Sequence, residues 1–290
     1  MKASAALTAL TLPVTRSVME TEVKNTLVLV AVAGAAVLMA PAARAGRSCE
    51  AKKPDVHTVT RGLQLAERTM AALETSGAQV VVLARAGQDL SKYGLRYSHL
   101  GFAYRTLDAG GSGATWRVVH KLNQCGTADS EIYRQGVGEF FLDDLWRYEA
   151  AWVVPSSDVQ DKLLPLLQDN SRVVALHHNP YSIVSYAWGR RYQQSNQWAI
   201  ETLAGAMQSA APSRGSAQAW LQAAGYVPAT LKLGPQTRLG GRASAANVAF
   251  DDHPSEKRFS DRIETVTVDS VFQWLQRSGL GGAPASLRLP

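Results

Sequence analysis

Three short apolar runs constrain this chain more than any other feature. They are Gln79–Ala84 (QVVVLA), Tyr97–Arg105 (YSHLGFAYR) and Thr115–Leu122 (TWRVVHKL). Each is rich in β-branched or aromatic residues and too short for a stable helix, so each reads as a buried or half-buried strand. Gly110-Gly111-Ser112-Gly113 separates the second from the third and suits a hairpin turn. Tyr148–Val154 (YEAAWVV) and Ile263–Val268 (IETVTV) have the same character and add two strands.

Helical periodicity fills the intervals. Over Thr58–Ser76, Leu63, Ala66, Met70 and Leu73 fall on one face, and Gly77 stops the helix. Pro155-Ser156-Ser157 opens a second helix, with Ser157 and Gln160 forming a capping box and Pro165 shortening it. The clearest helix opens at Ser195 or Asn196 and carries Ile200, Leu203, Ala204 and Met207 at helical spacing. Ser213–Ala224 is a further helix closed by Gly225, and Asp269 caps a last one ending at Arg277. The expected fold is α+β, a small, mostly antiparallel sheet with helices on one side.

The first 45 residues differ in kind. Leu27–Ala40 is apolar, follows Lys24, and ends in Ala43-Arg44-Ala45. This is the pattern of a signal peptide cut between Ala45 and Gly46, too short to span a membrane comfortably. Met19 offers a later start, which would make residues 1–18 excess. Residues 46–279 are expected to form a single domain. Residues 280–290 form a C-terminal tail in which Leu287 and Leu289 could dock. The expected location is periplasmic or secreted, with no membrane anchor after cleavage and with cell-envelope material as the partner class.

Thirty basic against 24 acidic residues give a formal net charge of +6. The basic residues are scattered, as at Lys52-Lys53, Arg190-Arg191 and Lys257-Arg258, so no nucleic-acid footprint is expected. No cofactor is implied, because Gly110–Gly113 lacks the pattern of a phosphate loop. His177-His178 and Asp251-Asp252-His253 supply metal-ligand types without ligand spacing, so no metal site is expected. Trp188, Trp198, Trp220 and Trp274 read as core. Two cysteines are present, Cys49 and Cys125. In an oxidising compartment they suggest a disulfide. A free Cys125 able to reach His120 or His99 is the alternative.

The segments YSHLGFAYR (Tyr97–Arg105), LNQCGTADSEIYRQGVGEFFLDD (Leu122–Asp144), RYQQSNQWAIE (Arg191–Glu201), DDHP (Asp251–Pro254) and TVTVDSVFQWL (Thr265–Leu275) resemble the domain-of-unknown-function 2145 family of secreted bacterial proteins. A weaker resemblance is to permuted papain-like proteins, including NlpC-type amidases. In those a strand S/T-H-x-G precedes a second strand, a linker helix, a tyrosine-bearing turn and a cysteine at a helix N-terminus. Here the order is Ser98-His99-Leu100-Gly101, Thr115–Leu122, the helix after Pro155, Asn179-Pro180-Tyr181, and the helix at Ser195. Gln194-Ser195-Asn196-Gln197 holds no cysteine.

The resemblance implies an amide or ester hydrolase, or an acyltransferase, with a permuted papain-like core. His99 would be its base, Ser195 its nucleophile and His120 a polar partner on the next strand. A serine at a helix start gains from the unpaired backbone N–H groups there. The rival expectation is a non-catalytic envelope protein that keeps the fold as a binding or structural module, in which Ser195 is only a helix cap.

Overall fold

A computed structural model describes residues 55–107, 114–208 and 211–290. The leader, Cys49 and the Gly110–Gly113 turn lie outside the described residues. β1 (Val80–Ala86), β2 (His99–Leu107), β3 (Ala114–Asn123) and β4 (Ser130–Gly136) form an antiparallel meander. β5 (Arg147–Val153) pairs with the other edge of β1, and β8 (Ala285–Arg288) pairs with β5. The resulting order is β4-β3-β2-β1-β5-β8. β6 (Ala229–Lys232) and β7 (Arg262–Thr265) make a separate two-stranded ribbon. The α+β class and the antiparallel sheet follow the sequence.

Helices cover both faces of the sheet, not one. α1 (Val56–Thr75) and α2 (Val137–Phe141) bury Leu65, Leu73, Phe140 and Phe141 against Val81, Leu83, Ala103 and Val118. On the other face, α3 (Ser157–Gln168), α5 (Ser195–Ala206) and α9 (Val268–Arg277) bury Leu163, Trp198, Ile200 and Trp274 against Val80, Val82 and Phe102. β1 explains this. All seven of its residues are buried, and a strand dry on both sides needs cover on both. Each fully buried large side chain contributes roughly 1.5–3 kcal/mol, so the two apolar layers hold the sheet from either side. Shorter helices complete the chain: α4 (Asn170–Val173), α6 (Arg214–Ala223), α7 (Pro235–Ser244) and α8 (Ser255–Arg258).

Several local expectations shift. β4 was not anticipated, because an edge strand reading SEIYRQG has little apolar alternation to reveal it. Residues 285–288, expected within the tail, form β8, and Leu289 is buried. On α1 the buried face is Leu65, Ala66, Thr69 and Leu73, leaving Leu63 exposed. Ser156 is the N-cap of α3 and makes no side-chain cap bond. Gln160 instead accepts from Gln79 N (2.8 Å) and Val80 N (3.1 Å), tying α3 to β1. Thr267, not Asp269, caps α9, in a box with Ser270. The cap of α5 is Gln194, whose Oε1 accepts from Asn196 N at 3.0 Å.

Eleven of the twelve residues of α5 are buried. The apolar face holds the sheet, and the opposite polar side is enclosed as well. Buried polar groups need partners. Glu201 meets Arg214 Nε at 2.7 Å and Gln218 Nε2 at 2.7 Å, and Gln197 donates to the carbonyls of Tyr186, Ala187 and Gly189. α5 is therefore the central helix of its face.

Candidate functional site

One end of the sheet opens into a cleft. Its lining includes His99, Gln135, Asp143, Tyr181, Ser195 and Asn196. Arg85 on β1 lies opposite His99 on β2, and paired residues of an antiparallel sheet share a face. Arg85, His99 and His120 face α2. Arg85 is buried, lies 4.7 Å from the Phe140 ring centroid, donates to Phe140 O and pairs with Asp143. The Phe140 ring lies 5.9 Å from that of His99 and 5.2 Å from that of His120.

The two histidines are joined. His99 Nε2 lies 2.8 Å from His120 Nδ1, and His120 Nε2 lies 2.8 Å from Gln135 Oε1. Gly101 makes this approach feasible. A Cβ there would stand 2.8 Å from both His120 Cβ and Val119 O. His120 has no solvent exposure, and burial, helped by the Arg85 guanidinium, pushes its pKa down to about 4, while Gln135 and Asp143 pull the other way.

The chain of acceptors then sets the tautomers. An amide oxygen only accepts, so neutral His120 carries its proton on Nε2 and accepts on Nδ1. His99 accordingly donates from Nε2, which leaves the lone pair of its neutral ring on Nδ1. Both nitrogens of His120 are engaged and its ring is enclosed, so its role is to orient His99.

Ser98, the neighbour of His99, accepts from Gly87 N (3.0 Å) and Gln88 N (3.2 Å) and so fixes the end of β1. Leu100, the next residue, turns to the other face of β2 and packs in the layer that contains Trp198. Its backbone N–H donates to Asn196 Oδ1 at 3.0 Å, so the strand beneath His99 is stitched to the start of α5. Ser195 is buried, and its Oγ lies 3.4 Å from Tyr181 Oη. His99 and Ser195 therefore line one cleft, His99 bonded to His120 and Ser195 beside Tyr181.

Cys125 is exposed in the β3–β4 loop at the cleft. Among the described residues no cysteine is free. Cys125 lines the same cleft as His99. His178 Nε2 bonds Arg191 O at 2.9 Å. His253 Nδ1 bonds Asp252 Oδ1 at 2.9 Å, and Asp252 Oδ2 takes Tyr186 N at 2.8 Å, so the DDHP segment pins a loop. Among the described residues no three His, Cys, Asp or Glu side chains converge as a metal set.

Arg85, Gln135, Asp143 and Asn196 belong to this site and were not singled out from the sequence. Arg85 left one signal, a charged residue inside the apolar run VVVLARA. Gln135 left none in a polar edge strand.

The architecture defines an α+β protein built on a six-stranded antiparallel sheet, with a histidine pair of which His99 lines a cleft and His120 is buried behind it. The family model for "Uncharacterized protein conserved in bacteria (DUF2145)" matches residues 72–275, and the chain belongs to that family. Neither a curated protein nor a solved structure matches it. Among the described residues no helix is long and apolar enough to cross a membrane.

Proposed function

We propose that this is an exported envelope protein whose cleft catalyses acyl transfer or hydrolysis of an amide or ester, on a permuted papain-like core. The observation that carries the reading is the His99–His120–Gln135 chain, which orients the His99 ring at the wall of the cleft as a base. The nucleophile in this reading is Ser195, at the first turn of α5. Its hydroxyl proton passes to His99 Nδ1 as Oγ attacks the carbonyl carbon. His99 then returns the proton to the departing amine or alcohol. Water or an acceptor amine or alcohol completes the transfer from the acyl-serine. For this to happen Ser195 Oγ must leave Tyr181 and turn toward His99. The exported location rests on the leader pattern of residues 1–45, and a Cys49–Cys125 disulfide is part of the same proposal.

The test is labelling by a fluorophosphonate probe. Wild type is expected to label at Ser195, and Ser195→Ala and His99→Ala to lose the label. A wild-type protein that folds and does not label would overturn the serine mechanism. A second reading, a non-catalytic binding module, draws support from the burial of Ser195 and its bond to Tyr181.

A further inference from the structure

We propose that the cleft takes an acyl ester or amide with two unlike ends, an apolar acyl chain along its β6–β7 side and a cationic leaving group against its α2 side. The inference rests on the acyl-transfer reading above.

The two sides of the cleft differ in kind. On the ribbon side the lining includes Ile183, Val184, Leu231, Leu233 and Val248. Val184, Leu231 and Val248 are partly buried on a small apolar cluster of Leu233, Phe250 and Ile263, and Ile183 is still 39% exposed. Among the described residues this side adds no charged side chain to the lining. The α2 side carries Glu139, Asp143 and Asp144, with Arg85 set against Asp143, so three carboxylates face one guanidinium. The other lining charges, Asp89 and Lys92, balance. Trp146 belongs to the α2 side and is half exposed. Arg147 lies 4.8 Å from its ring centroid, and Glu149 answers that cation at 2.7 Å. A wall of net negative charge that also presents an indole attracts cations. The cleft encloses about 1800 Å³, above the roughly 300–1,000 Å³ of ordinary small-molecule pockets, which is room for an extended ligand.

The chemistry assigns each end to its side. Ser195 belongs to the ribbon side. Gln194, the residue before it, donates to Val266 O and lies 3.3 Å from Thr265 Oγ1 at the end of β7. Tyr181, beside Ser195 Oγ, leads into Ile183, whose N–H is held by Asn247 O at 2.9 Å. His99 belongs to the α2 face, 5.9 Å from the Phe140 ring. As Oγ bonds to the acyl carbon, the ester or amide bond breaks and His99 passes the Oγ proton to the departing alcohol or amine. The acyl part therefore stays with Ser195, along the apolar wall. The leaving part departs on the His99 side, beside the carboxylates. Water then releases the acid and restores the serine.

The experiment titrates hexyl- to decyltrimethylammonium and the matching alkyl sulfates into the purified chain by calorimetry, each below its micellar concentration. Decyltrimethylammonium is expected to bind roughly tenfold tighter than decyl sulfate, and affinity to rise by about fourfold for each methylene that the wall buries. Ile183→Asn and Val248→Asn are each expected to weaken decyltrimethylammonium binding by about fivefold. Glu139→Gln/Asp144→Asn is expected to bring the two head groups within about threefold of one another. Equal affinity of the wild type for the two head groups, affinity that ignores chain length, or no binding of either would overturn the proposal. Release of choline from decanoylcholine separates it from the serine mechanism. Binding with the expected preference and no choline release leaves the ligand assignment standing and removes the mechanism. Choline release with equal affinity for the two head groups keeps the mechanism and removes the assignment.

Discussion

His120 is the residue at which the environment does the most to a titrating group. Its pKa stands at about 4, against an unfolded value of 6.5, because burial and then Arg85 disfavour the charged ring. Between those two values the unfolded chain binds the proton and the folded chain does not. Stability from this group is therefore intact above pH 6.5 and falls as pH drops toward 4. From pH 7 to pH 5 the expected loss is about 2 kcal/mol. Urea unfolding should show it in wild type and not in His120→Asn. Parallel pH curves for the two proteins would refute the assignment. His99 was legible in the sequence because one histidine stood in an apolar strand, with His120 as its partner on the next strand. The reason they meet was not. It lies in Gln135, on a strand whose polarity hid it, and in Arg85 and Asp143, which set the charge around the ring.

At the scale of elements, the joint between β2 and α5 decides the shape of the cleft. The β2–β3 register begins at Phe102 opposite Val119. Upstream the strands part, and Asn196 Oδ1 takes the Leu100 N–H in place of a strand partner. Asn196→Ala would leave that buried N–H unpaired, at a cost of about 1–3 kcal/mol. Asn196→Asp keeps an acceptor and should recover part of it. Amide exchange at Leu100 should accelerate in the alanine variant first, and unchanged protection there would remove the joint from the account. The order of strand, strand, helix and helix could be read from periodicity and glycines. The two-sided cover of the sheet was foreshadowed by the unbroken apolar run of β1. α5 was found by its apolar face, but periodicity cannot reveal that the polar side is also enclosed, because its partners come from residues distant in sequence.

Across the whole molecule, a buried polar network joins the sheet to the helices of one face. Lys121 on β3 donates to His178 O (2.6 Å) and Gln193 Oε1 (2.8 Å). Gln193 donates in turn to Leu176 O (2.9 Å) and Glu201 Oε2 (2.6 Å), and Arg214 and Gln218 close on Glu201. One buried amine thereby holds the loop that delivers Ser195 and Asn196 to the cleft. Lys121 is wholly buried, and burial, followed by repulsion from Arg214, lowers its pKa to about 6, with Glu201 opposing. The unfolded value is 10.5. The folded chain therefore sheds this proton before the unfolded chain does, and its cost grows as pH falls from 10.5 to 6, then levels off. Stability should rise with pH across that window by about 1.4 kcal/mol per unit from this group alone. In Lys121→Met the rise is expected to vanish, so that between pH 7 and pH 9 the wild type gains roughly 2–3 kcal/mol on the variant. Urea midpoints at the two pH values measure it. Equal gains in the two proteins would mean that Lys121 keeps its proton in the fold. The network would then be an ion cluster in which Glu201 serves Lys121 as well as Arg214, and the loop ahead of α5 would be held by charge at every pH the protein meets.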